Sequence, residues 1–155
     1  MPSILLVAHA PLATSFLAVA RHAFADCSQQ LAAVDVAPGA SLEQAQAQID
    51  TALAALPCGE VLILADAFGA TPSNAALNAA STAADGQCWR VVTGVNVPML
   101  WRTLCYGHLP LDELVIRATD GGRQGIMQVA HPRRHNQQNQ LQRPTTDDPD
   151  ANPDQ

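Results

Sequence analysis

The chain has 155 residues, 48% of them hydrophobic but only 4% aromatic, a formal net charge of −6, and eight basic residues that are all arginine. That length suits one domain with a sizeable core. The acidic balance argues against nucleic acid as a partner, because phosphates repel a chain without a basic stripe, and no run approaches the roughly 20 apolar residues of a membrane span.

In chain order, Ile4 to Ala8 is an unbroken apolar run of strand length that ends at His9. Apolar on both faces, it reads as a parallel strand in the middle of a sheet. Thr14 then reads as the cap of a helix to about Ala25, with Leu12, Phe16, Leu17, Ala20 and Phe24 at near-helical spacing. Leu31 to Val36 is a short strand closed by the turn pair Pro38-Gly39, and Ser41 with Gln44 three residues on is a capping-box signature. It opens a helix to about Leu56 that Pro57 and Gly59 stop.

A second buried strand, Glu60 to Ala65, ends at Asp66 and opens through a small-residue loop into a helix with Thr71 as N-cap and Pro72 at its first position. Trp89 to Thr93 is a fourth strand, followed by a helix from Met99 to Tyr106 and another from Asp112 to about Thr119. Gly121-Gly122 reads as a break, and Ile126 to Val129 as a last short strand. The alternation predicts an α/β fold, a doubly wound and mainly parallel sheet with helices on both faces. Residues 1–131 form the expected domain. Residues 132–155, polar and rich in proline, read as a disordered tail.

Two strand ends carry the chemistry. With the first and third strands adjacent, His9 and Asp66 meet at the switch point where open α/β sheets hold ligands. Asp66 accepting from one ring nitrogen fixes the tautomer and leaves the other nitrogen as nucleophile or base. The unpaired N–H groups of the helix after Thr71 supply an anion site. Together these suit a transferable phosphoryl group, whose transfer depends on positioning and charge stabilisation. The bland alternative is a structural histidine beside a turn-capping aspartate.

Several motifs then fall in one order: Leu5-Leu6-Val7-Ala8-His9-Ala10, Pro38-Gly39, Asp66-Ala67-Phe68-Gly69-Ala70-Thr71-Pro72-Ser73-Asn74-Ala75-Ala76, Gly94-Val95-Asn96-Val97-Pro98-Met99-Leu100 and Gly122-Arg123-Gln124-Gly125. Over about residues 3 to 130 the chain resembles the IIA component of the mannose family of the bacterial sugar phosphotransferase system. The resemblance implies a cytoplasmic phosphocarrier that takes a phosphoryl group from the carrier protein HPr on His9 and passes it to a separate IIB component. It also implies that Asp66 orients the ring, that Thr71 stands where the family has a serine beside the phosphate, and that Phe68 walls the pocket. A homodimer in which Ile126 to Val129 cross to the partner's sheet follows from the same resemblance. The chain departs from the family in reading Ala10-Pro11 after the histidine and Gly69-Ala70-Thr71 in the loop.

No cofactor is expected, and neither His22 nor His108 has metal-ligand spacing to His9; both read as surface residues. His131 and His135 flank Arg133-Arg134 in a basic patch. Trp89 and Trp101 read as core or dimer-interface residues, Asn96 as a turn former or a shaper of the site, and the four cysteines as buried small hydrophobes. The N-terminus has no basic stretch ahead of its apolar run, which argues against a secretory signal. Three rival functions stand beside the carrier: a regulatory protein signalling through phosphorylated His9, a metal-dependent hydrolase using His9 and Asp66 as ligands, and a module that binds a small anion. A receiver domain of the aspartate type is disfavoured, because it needs a lysine.

Overall fold

The computed structural model describes residues 1–25, 29–57, 59–84 and 86–129. Four strands alternate with helices: β1 (Ser3–His9), α1 (Leu12–Ala23), β2 (Leu31–Val36), α2 (Leu42–Ala55), β3 (Glu60–Ala65), α3 (Thr71–Ser81), β4 (Cys88–Thr93), α4 (Val97–Cys105) and α5 (Leu111–Gln124). The sheet has the order β2-β1-β3-β4, and every pairing is parallel. This is the doubly wound arrangement expected from the alternation, with β1 and β3 in the centre.

Because successive strand side chains point to opposite faces, the apolar runs divide into two cores. Ile4, Leu6, Ala8, Leu62 and Leu64 pack with residues of α1, α4 and α5. Leu5, Val7, Val34, Val36, Val61 and Ile63 pack with α2 and α3. A strand covered on both sides has no polar face to show, which is why β1 and β3 read as continuous hydrophobic runs.

The capping box of α2 is complete: the Gln44 N–H donates to Ser41 Oγ at 3.2 Å and the Ser41 N–H donates to Gln44 Oε1 at 2.9 Å. Thr14, by contrast, lies inside α1, whose N-cap is Pro11. The helix begins earlier because a carboxylate from β2, described below, does the capping that a local side chain was expected to do. Likewise Thr71 is the first residue of α3, and its N-cap is Ala70.

The largest departure is at the C-terminal end. Gly121 and Gly122, read as a break, are buried inside α5. A Cβ on Gly121 would collide with the Arg102 side chain and one on Gly122 with Met99. The pair is there to let α5 approach α4, not to end the helix. Ile126 to Val129 form no strand, and Ile126, Met127 and Val129 are exposed; a strand needs a neighbour to pair with, and they have none among the described residues.

Trp89 packs partly buried against the α2–α3 side of the sheet, whereas Trp101 is exposed. Cys88 is half-buried and Cys105 exposed, so Cys105 is no core residue. Cys27, Cys58, His131, His135 and the expected tail lie outside the described residues. No helix among those described is long and apolar enough to cross a membrane.

Candidate functional site

The carboxyl ends of β1 and β3 lie side by side, paired as far as Val7 and Ala65. One step further, the side chains of His9 and Asp66 meet. Asp66 Oδ2 accepts from the His9 main-chain N–H at 2.9 Å and faces the ring Nδ1 at 2.7 Å. Its other oxygen accepts from the Ala67 N–H at 2.8 Å. The Asp66 carbonyl accepts from the Gly94 N–H at 3.1 Å, which ties the same residue to the end of β4.

Burial alone would raise the Asp66 carboxyl. The hydrogen bonds from the His9 N–H, the His9 ring and the Ala67 N–H, with the field of the ring, outweigh it and hold the group below the ordinary carboxylate value. Asp66 is therefore ionised at neutral pH and can only accept hydrogen bonds. The proton of a neutral His9 ring must then sit on Nδ1, and Nε2 keeps its lone pair. The His9 side chain is 55% exposed against 10% for Asp66. A largely covered carboxylate thus orients an exposed imidazole.

The parity of β1 decides where that ring looks. His9 shares the register of Leu5 and Val7, which face α2 and α3. The start of α3 has no side-chain cap and carries a proline in its first turn. Pro72 has no N–H, and those of Thr71 and Ser73 have no partner within the helix. Gly69, at φ +80°, turns the chain into this helix, and Asn74 Nδ2 steadies the turn by donating to the Gly69 carbonyl at 3.1 Å. Phe68 stands out from the loop, 81% exposed.

Of the residues singled out in the sequence, the structure brings His9 and Asp66 into contact and puts Thr71 at the head of α3. Asn96 is the N-cap of α4, accepting from the Met99 N–H at 2.9 Å, and its Nδ2 donates to the Gly122 carbonyl at 3.1 Å. It therefore caps α4 and ties the start of that helix to α5. His22 and His108 are exposed. Among the described residues no three His, Cys, Asp or Glu side chains gather as a metal site.

One residue escaped the sequence reading. Asp35, in β2, accepts from the N–H groups of Ala13 and Thr14 at 2.8 and 3.2 Å and from Thr14 Oγ1 at 2.6 Å. The available signal was a lone acid between two valines in a strand otherwise made of alanine, valine and leucine.

Comparison with known proteins places the chain itself. A family model described as the PTS system fructose IIA component, EIIA-man, matches residues 3–115. The mannose-specific EIIAB component of Escherichia coli K12 is 35% identical over 96 residues, which are 60% of this chain and 29% of that protein. The chain thus corresponds to well under half the length of the curated relatives it matches. The mannose/sorbose specific IIA subunit of Enterococcus faecalis superposes with a TM-score of 0.75 at 27% identity, over 84% of this chain and 96% of that one. The phosphotransferase component EIIA from Streptococcus agalactiae shares the fold, with a TM-score of 0.73 at 20% identity over 83% of this chain and 97% of that one.

Proposed function

This chain belongs to the EIIA-man family, the IIA components of the sugar phosphotransferase system, and from that premise we propose that it is a phosphocarrier. His9 accepts a phosphoryl group from phosphorylated HPr and hands it to a IIB component in sugar uptake. The observation that carries this reading is the 2.7 Å contact between His9 Nδ1 and Asp66 Oδ2, which leaves the exposed Nε2 as the free nucleophile.

In the transfer, the Nε2 lone pair attacks phosphorus while the bond from phosphorus to the donor breaks and its electron pair returns to the donor. The ring keeps its Nδ1 proton and becomes cationic, so the ionised Asp66 stabilises the phosphorylated state by charge as well as by orientation. The phosphoryl oxygens lie toward the unpaired N–H groups at the start of α3, where the helix dipole favours negative charge. The Thr71 hydroxyl adds a donor, and Phe68 walls the outer side. Delivery to IIB reverses these steps, with His9 as leaving group.

The carrier works as a cytoplasmic homodimer. Ile126, Met127 and Val129 are apolar and exposed, and their segment is unpaired with any described strand, while β4 is an edge strand; exchange of this segment between two sheets would bury the first and cover the second. Residues 1–131 act as the carrier domain.

Incubation with phosphoenolpyruvate, the system's first enzyme and HPr, followed by intact-mass analysis, tests the reading. The expected result is a gain of one phosphoryl group that acid removes and base does not. No gain, with HPr itself phosphorylated, overturns it.

A further inference from the structure

Asp35 is costly where it stands. It sits half-buried between the buried Val34 and Val36, and a carboxylate taken out of water must recover its hydration elsewhere. It does so wholly on the first turn of α1, through the Ala13 N–H, the Thr14 N–H and the Thr14 hydroxyl. The turn needs such a partner, because its N-cap, Pro11, offers no side-chain acceptor.

The register shows what this holds in place. Asp35 pairs with Ala8 and Val36 with His9, and the Ala10 N–H donates to the Val36 carbonyl at 3.0 Å. The short connection from His9 to α1 is therefore tied to β2 at Ala10, Ala13 and Thr14, while His9 itself is tied to Asp66 beyond β3. Freed from β2, the chain after His9 would move and carry the imidazole with it.

We propose that Asp35, through Thr14, is a positioning residue for His9: it fixes the point where β1 becomes α1 and so keeps Nδ1 on Asp66 and Nε2 outward. It touches neither the phosphoryl group nor the ring. The proposal rests on the carrier reading for its rate effect, but not for its effect on the ring.

The test uses the full chain with Asp35→Ala, Thr14→Val and Thr14→Ser, each checked for folding by circular dichroism. Two quantities are read: the initial rate of phosphoryl transfer from phosphorylated HPr, and the ring-nitrogen NMR shifts that report the His9 tautomer. Asp35→Ala is expected to slow transfer by roughly ten- to a hundredfold, the order that a displacement of about an ångström produces, and to turn a single Nδ1–H tautomer into a mixture. Thr14→Val, which deletes one hydrogen bond, should slow it about fivefold, and Thr14→Ser should restore both readouts.

A folded Asp35→Ala with wild-type rate and tautomer overturns the proposal, as does a Thr14→Ser as defective as Thr14→Val. Should Asp35→Ala not fold, the Thr14 pair decides. Should the wild-type chain take no phosphoryl group, the carrier reading falls, while the tautomer measurement still judges the role of Asp35.

Discussion

One carboxylate oxygen, Asp66 Oδ2, serves both the main chain and the ring of His9, so Asp66→Asn separates chemistry from folding less cleanly than His9→Ala does. His9→Ala is expected to abolish phosphorylation and leave the melting curve nearly unchanged, since the ring is largely exposed; retained labelling would move the site to another histidine. Asp66→Asn should slow transfer by about a hundredfold, and an unchanged rate would show that the carboxylate does not orient the ring. Its effect on stability has a definite sign with pH. The folded-state value lies below the unfolded one, about 3.9, so Asp66 adds stability above that value and the gain is lost as pH falls through its folded-state value. Chemical denaturation should therefore find wild type ahead of Asp66→Asn at pH 7, with the difference closing below about pH 4. His9 and Asp66 were legible in the sequence because each ends an apolar run. Asp35 was not, because its partners lie 21 and 22 residues away in the chain and no local pattern joins them.

At the scale of elements, local devices were readable and tertiary ones were not. The Ser41–Gln44 box is a matter of spacing within one turn, and α2 starts where that spacing says. Ser41→Ala should cost about 1 kcal/mol in thermal or chemical unfolding. Gly121 runs the other way. By helix propensity alone, alanine there should gain up to about 1 kcal/mol, but the Arg102 side chain occupies the space a methyl would need, with the Pro98 carbonyl beside it. Gly121→Ala is expected to destabilise by roughly 1–3 kcal/mol, the usual cost of overpacking, and a stabilised variant would mean that α4 yields easily. The break wrongly read at Gly121-Gly122 came from treating glycine as punctuation when α5 uses it as room.

For the whole molecule, the alternation of strands and helices was enough to place β1 beside β3 and hence His9 beside Asp66. Ile126 to Val129 read as a last strand, but they pair with none of the described strands, and alternation alone does not name a neighbour for them. Removal of everything after Gly125 is expected to turn a dimer into a monomer by light scattering; a dimer that survives would place the interface elsewhere. The setting of His9 has a last consequence. It closes a strand whose residues from Ser3 to Ala8 are all buried, and its bond to Asp66 prolongs that strand's protection past the end of the ladder. Amides of strands in the core exchange more slowly than those of fraying ends, and this bond adds His9 to the protected set. The His9 amide should thus exchange more slowly in the wild type than in Asp66→Ala, although its ring lies open to water.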